Sequence, residues 1–277
     1  MNTINWFPGH MAKALREIKE KQNIVDCFIV LIDARVPLSS YNEELDTICP
    51  NKPRLFVFSK SDYANLTRLN QIIGKFNNPQ DKKVIVNLKK NSSRSKIMKA
   101  LNQILTAKRE KDKNKGLLKP RLRCFVIGVP NVGKSTLINL LSNSKKTKVA
   151  NFAGTTRSLQ WIAADDIQLL DTPGILMPKL SDQTLALKLV ACSLIKQDVI
   201  NDQEFYYQIS DILYKSNPDK FHELGFAYHE LENDKYGELV KYARKNNFLL
   251  KNKEPNIQKV LAIFRQKILN LTNITWD

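Results

Sequence analysis

Apolar positions along this chain fall into short unbroken runs separated by stretches with helical spacing. The runs at 27–32, 55–58 and 124–127 are strand length and apolar throughout, as strands buried on both faces of a sheet must be, and 167–170 is apolar but for Gln168. A further run at 83–86 begins on a lysine and reads as another strand. Over 11–21, Met11, Ala14, Leu15 and Ile18 share one face among Lys13, Arg16, Lys19 and Lys21, which predicts an amphipathic helix after the Pro8-Gly9 turn. Helical spacing recurs over 66–76, over 97–105 and from 134 onward. Strands separated by helices predict an α/β domain with a mainly parallel sheet flanked by helices. Residues 108–119 are polar, charged and non-periodic, which predicts a linker. After Pro178 the pattern turns helical only. Leu185, Leu189 and Cys192 share a face, as do Ile257, Val260, Leu261, Phe264, Ile268 and Leu271, with Asn217-Pro218 and Glu254-Pro255 as punctuation. The expected organisation is an α/β domain over 1–176 and a small all-α domain over 177–277.

Charge sharpens that division. The chain carries a formal net charge of +17 over 277 residues. Segment 82–123 alone nets +13, whereas 198–234 nets −7 and 235–267 nets +7. A balance this basic points to an anionic macromolecular partner, nucleic acid or an anionic membrane surface. No apolar run approaches the ~18–20 residues of a membrane span. The first residues show no basic-then-apolar leader, so a cytoplasmic protein without a membrane partner is expected. Cys27, Cys49, Cys124 and Cys192 are widely spaced and form no CxxC pair, which reads as reduced thiols.

The candidate chemistry lies at the ends of the predicted strands. Gly128-Val129-Pro130-Asn131-Val132-Gly133-Lys134-Ser135 fits GxxxxGK[ST] between an apolar strand and a helix, the context that gives the motif its meaning. Glycines let backbone N–H groups turn inward around phosphate oxygens, and the helix N-terminus adds a favourable dipole. Phosphate binding is therefore assigned to Asn131, Val132, Gly133, Lys134, Ser135 and Thr136. Lys134 would reach the β- and γ-phosphates, and Ser135 would hold Mg²⁺. Asp171-Thr172-Pro173-Gly174 ends another strand about 36 residues further on. There Asp171 would hold Mg²⁺, and the Gly174 N–H would meet the γ-phosphate. Ser59-Lys60-Ser61-Asp62 follows the strand at 55–58. A carboxylate at Asp62 can accept from both N1–H and the exocyclic amine of guanine, a donor pair adenine lacks. Lys60 would pack its stem along the base. Taken alone, the same four residues would also serve as a helix N-cap.

In most GTPases the phosphate-binding loop precedes the base-reading loop, but here Asp62 precedes Lys134. Together with Asn5-Trp6-Phe7-Pro8-Gly9-His10-Met11-Ala12-Lys13-Ala14 and Asp33-Ala34-Arg35-Val36-Pro37-Leu38-Ser39-Ser40, that order resembles the ribosome biogenesis GTPase A family of circularly permuted GTPases. The resemblance implies a permuted P-loop GTPase domain followed by a helical domain that contacts RNA or protein. It implies GTP hydrolysis during late assembly of the large ribosomal subunit, stimulated by that particle. The implied partners are the large subunit and its rRNA, the protein being a monomer. The second base loop would fall at Asn87-Leu88, which departs from the usual Ser-Ala or Asn-Ser pair. Ser59 stands where the family usually has asparagine, a change expected to lose some bracing of the loop. Thr156 aligns with the Mg²⁺-sensing threonine, with Thr155 as the alternative. Ile175 occupies the place of the water-positioning glutamine of Ras-like proteins and cannot bond to water, so His10 is the implied catalytic residue beside Lys134 and Thr156. Asn131 matches the position whose side-chain oxygen helps to bind K⁺ in relatives, a loop brace being the other reading.

Overall fold

The computed structural model describes residues 9–48, 50–76, 78–117, 120–143, 160–172 and 182–277, with side chains except at 9–14 and 160. In chain order the elements are α1 (Gly9–Lys21), β1 (Cys27–Asp33), α2 (Glu44–Ile48), β2 (Arg54–Ser59), α3 (Leu66–Ile73), β3 (Lys82–Ile85), α4 (Ser92–Asn114), β4 (Leu122–Gly128) and α5 (Lys134–Leu141). They continue with β5 (Gln160–Ala164), β6 (Ile167–Asp171), α6 (Gln183–Ala191), α7 (Asp202–Ser216), α8 (Pro218–His222), α9 (Glu232–Lys245) and α10 (Ile257–Leu269).

The strands form one sheet of order β3-β2-β1-β4-β6-β5, parallel except for β5 against β6. Strands β1 and β2 are buried at every position, as their apolar runs predict. Alternation by two sends Phe28, Val30, Ile32, Phe56 and Phe58 to a core shared with Leu15 and Ile18 of α1 and Leu69 and Ile72 of α3. Phe28 and Phe125 stack there with ring centroids 5.4 Å apart. The opposite face sends Cys27, Ile29, Leu31, Val57 and Val126 into a second core with Ile97 and Leu101 of α4 and Leu137 of α5. That second core is continuous with the tail and takes in Leu189, Phe205, Leu213 and Phe264. Cys27, Cys124 and Cys192 are buried free thiols, while Cys49 lies outside the described residues.

The predicted linker is largely helix. Helix α4 continues to Asn114, so 108–114 belong to it and only the residues after Asn114 remain as connection. No apolar stripe supports these last turns, which is why periodicity missed them. Ion pairs hold them instead: Lys108 with Asp112 one turn on, and Arg109 with Asp166 in the β5–β6 turn. The Asp112 carbonyl then accepts the N–H groups of Lys115 and Leu117 and closes the helix. The expected helix over 66–76 ends at Ile73, before Gly74. Pro218 opens α8, where its missing N–H costs nothing.

The register places the candidate chemistry. Asp33 pairs with Ser59, Leu31 with Gly128, and Val126 with Asp171, so the carboxyl ends of β1, β2, β4 and β6 lie side by side. Open α/β sheets bind ligands in the crevice outside those ends.

Candidate nucleotide-binding site

The phosphate-binding loop leaves β4 at Gly128, whose φ is +157°. A Cβ there would stand 2.6 Å from the Leu31 carbonyl oxygen, so neighbouring β1 leaves room only for glycine. Gly133 (φ +112°) then starts α5 from a left-handed conformation that side chains rarely adopt. Lys134, on the first turn of α5, is buried and donates from Nζ to the carbonyls of Gly128 and Val129, each at 3.0 Å. Burial pushes its ammonium down to about 8, and the charge of Asp171 opposes the shift. Asp171 is buried at the end of β6, and the next residue, Thr172, donates from its hydroxyl to the Val126 carbonyl at 2.7 Å. Ser135 and Thr136 follow Lys134 on α5. Ser135 and Asp171 supply hard oxygen donors. No cluster of three or more His, Cys, Asp or Glu able to hold a metal occurs among the described residues. That set fits Mg²⁺, which keeps waters and borrows phosphate oxygens rather than needing a full protein cage.

The base-reading loop is braced from beneath. Asp33, fully buried at the end of β1, accepts from Arg35 Nε at 3.0 Å and Nη2 at 2.8 Å and pairs with Lys60 Nζ at 2.9 Å. Burial alone would raise its carboxyl, but Lys60 and Arg35 overcome that and hold it well below the usual carboxylate range. Lys60, expected to lie along a base, lines the cleft with its ammonium anchored to Asp33 and its backbone at φ +55°. Asp62 stands exposed at the mouth of the loop. Ser59 supplies a brace that its sequence did not announce: its Oγ lies 2.9 Å from the Val132 carbonyl and ties the base-reading loop to the phosphate-binding loop. The Ser61 N–H reaches the Val86 carbonyl at 3.4 Å. Asn87 turns inward to its own loop, its Oδ1 accepting from the Lys89 N–H at 2.9 Å and its carbonyl from Ser93 Oγ at 2.7 Å. Leu88 packs beside Gly133, where an added Cβ would meet it at 3.2 Å.

Ser59, Lys60, Asp62, Asn87, Leu88, Asn131, Val132, Gly133 and Thr136 thus come together on one cleft of about 880 Å³. Sequence reading missed the opposite side of this cleft. It is built by the turn after α6, including Lys196 and Asp198, and by the end of α10, including Gln266 and Asn270. No motif marks these residues. Two hydrogen bonds seat the turn, Arg35 Nη2 to the Cys192 carbonyl at 2.9 Å and Asn131 Nδ2 to the Ser193 carbonyl at 3.0 Å. With its amide nitrogen committed to Ser193, Asn131 has only Oδ1 to offer a cation. The segment 33–40 proves to be a seat for the last residues. Trp276 N–H donates to the Arg35 carbonyl at 2.7 Å, and the Asp277 carboxylate takes the N–H groups of Leu38 and Ser39 and the Lys188 ammonium. His10 lies within α1, but its side chain, like Thr155, Thr156, Gly174 and Ile175, is outside the described residues.

A P-loop on the central parallel strands, reached in the chain only after the strand that leads to Asp62, defines a P-loop GTPase fold in circularly permuted order. Comparison with known proteins agrees. The family described as "50S ribosome-binding GTPase" matches residues 123–220. The chain is 38% identical over 221 residues to ribosome biogenesis GTPase A of Bacillus cereus, covering 79% of this chain and 75% of that protein. It is 32% identical over 269 residues to the probable ribosome biogenesis GTPase A of Mycoplasma pneumoniae, covering 96% and 93%. Among solved structures, GNP-bound YlqF from T. maritima shares the fold, with TM-score 0.64, 22% identity, and coverage of 96% of this chain and 97% of that one. The chain belongs to the ribosome biogenesis GTPase A family and is a GTPase.

Proposed function

We propose that this protein binds Mg²⁺·GTP in the cleft beside Asp62 and Lys134 and hydrolyses it during late assembly of the large ribosomal subunit, the particle stimulating turnover. One observation carries the nucleotide reading: an exposed carboxylate at Asp62 shares a cleft with the phosphate-binding loop, and Ser59, three residues before Asp62, bonds to the Val132 carbonyl of that loop. Asp62 reads guanine. Lys134 and the backbone of 131–136 hold the phosphates, with Gly174 at the γ-phosphate. Ser135, Asp171 and Thr156 hold Mg²⁺, which when bound neutralises charge developing on the phosphate oxygens. His10 orients the attacking water in the place that Ile175 leaves unserved, and K⁺ sits against Asn131 Oδ1. The nucleotide domain spans 1–176, and 177–277 is the contact domain.

The ribosomal part rests on the relatives' names and on charge. Lys82, Lys89, Lys90, Lys96 and Lys99 are exposed in the first basic segment, and Lys241, Arg244 and Lys245 on α9 in the second. The second segment is less free than its count implies, because Lys235 pairs with Asp211 and Arg265 with Asp202. No helix among the described residues is long and apolar enough to cross a membrane.

Competition between GTP and XTP tests the base assignment. Asp62→Asn should lose on the order of 100-fold in GTP affinity and gain XTP binding, because xanthine offers a carbonyl where guanine offers an amine. Unchanged preference for GTP would assign the base to another residue. Turnover measured with and without large subunits separates a stimulated GTPase from a switch that scarcely turns over.

A further inference from the structure

The cleft has a second wall that no nucleotide motif encodes. Its polar side chains, Lys196 and Asp198 from the turn after α6 and Gln266 and Asn270 from the end of α10, are exposed and line the same space as Asp62 and Asn87. Lys196, Gln266 and Asn270 make no side-chain hydrogen bond to another described residue, so their donors and acceptors stay available to a ligand. Lys134, Ser135 and Asp171 do not line this cleft. The tail therefore faces Asp62, Asn87 and the lining residues of the phosphate-binding loop rather than Lys134, Ser135 and Asp171.

The wall is one unit. Arg265 of α10 donates to the Gln197 carbonyl at 3.4 Å and the Ile200 carbonyl at 3.3 Å and pairs with Asp202 at 2.6 Å, joining α10 to the turn after α6. Within the turn, Ser193 holds φ +55°, and Gln197 Nε2 donates to its hydroxyl at 3.3 Å. Arg35 and Asn131 then fix the unit to the base side and to the phosphate side. Resting on the GTP-binding reading above, we infer that the helical tail closes the guanosine pocket, with Lys196, Gln266 and Asn270 as residues that contact the nucleoside. Nucleotide is then held fully only while the tail is seated. Any partner that lifts the tail weakens GTP and GDP alike, and by reciprocity bound nucleotide holds the tail down.

Two measurements on the full chain test this. Calorimetric titration with GDP and with a non-hydrolysable GTP analogue should show Lys196→Ala and the pair Gln266→Ala/Asn270→Ala each weaker by about fivefold or more, equally for both nucleotides. Thermal melting without nucleotide should match the wild type, since these side chains bond to nothing else described. Amide hydrogen exchange on the wild-type protein needs no substitution, and GDP should slow exchange over 193–198 and 266–270 as well as over the phosphate-binding loop. Wild-type affinities in the variants, or protection confined to the loops, would overturn the inference. Asp62→Asn run in parallel tells the two readings apart. If it shifts preference to XTP while the tail variants bind normally, only the second wall fails. If the wild type binds no guanine nucleotide, the underlying reading fails and the wall with it.

Discussion

The two walls of the cleft are built by different means. The first comes from short motifs at the ends of adjacent parallel strands, where ladder hydrogen bonds fix register and the buried Asp33 holds Arg35 and Lys60. The second comes from residues some seventy positions apart in a helical tail, brought together by core packing and by hydrogen bonds from Arg35, Asn131 and Arg265. A wall made by strand ends cannot shift without tearing the sheet. The second wall has no strand ladder to break: core packing and side-chain hydrogen bonds seat it, so it can move as a unit where those contacts give way.

Arg35 touches both walls, so removing it should have the largest effect. Arg35→Met strips the buried Asp33 of its bidentate partner and unties the Cys192 carbonyl. Lys60 still compensates the carboxylate, so the loss should sit near ~3 kcal/mol, the low end for breaking a buried pair. Denaturant unfolding reads it, and a change below ~1 kcal/mol would mean that Arg35 braces neither wall. Lys134→Ala comes next and acts only on the phosphate side. Loss of charge-assisted bonds to two phosphates should weaken GTP by roughly 100-fold. Near wild-type affinity in that variant would remove Lys134 from the site.

What could be read without coordinates follows the same contrast. The first wall was legible because its parts are local: a glycine directly before the motif lysine, and an acid three residues past a strand. The sheet was legible because strands buried on both faces leave unbroken apolar runs. Helix α4 beyond Lys108 was not, since ion pairs to Asp112 and Asp166 replace an apolar stripe there. Strand β5 was missed because an edge strand pairs on one side only and carries a mixed sequence. The second wall was invisible for a stronger reason. Lys196, Gln266 and Asn270 are ordinary surface residues until the tail folds back onto the sheet.

A smaller effect of Lys134 concerns pH. Its ammonium titrates at about 8 in the protein without nucleotide, against an ordinary 10.5, because burial disfavours the charge. Phosphate oxygens alongside would raise it again. Above pH 8 the free protein has lost a proton that the complex keeps, so binding takes one up. GTP affinity should be level with respect to this group below pH 8 and fall by up to about tenfold per pH unit above it. Without nucleotide the sign reverses for folding. The unfolded chain binds the extra proton between 8 and 10.5, so stability from this group rises with pH across that window. Calorimetry in two buffers of different ionisation enthalpy counts the proton directly, and no uptake at pH 8.5 would contradict a buried Lys134.

The smallest expected effect tests whether the first wall is itself one piece. Ser59 is fully buried, with Oγ 2.9 Å from the Val132 carbonyl and 3.2 Å from that of Ile32. Its hydroxyl has one proton, so it donates to one carbonyl at a time, the shorter contact favouring Val132. Ser59→Ala removes that donor and leaves a buried carbonyl of the phosphate-binding loop without it, a loss of about 1 kcal/mol. If the bond only stabilises the fold, denaturant unfolding will show that loss and GTP affinity will not change. If it positions the two loops against each other, affinity should fall severalfold as well, for GTP and GDP alike, because Val132 and Asp62 serve nucleotide parts common to both. Ser59→Asn provides the discriminating control. Asparagine is the residue expected at this position in relatives, and its amide donor can take over the tie, so it should recover affinity that alanine loses. Stability lost without any change in affinity would show that the base-reading and phosphate-binding loops are positioned independently, each by its own strand.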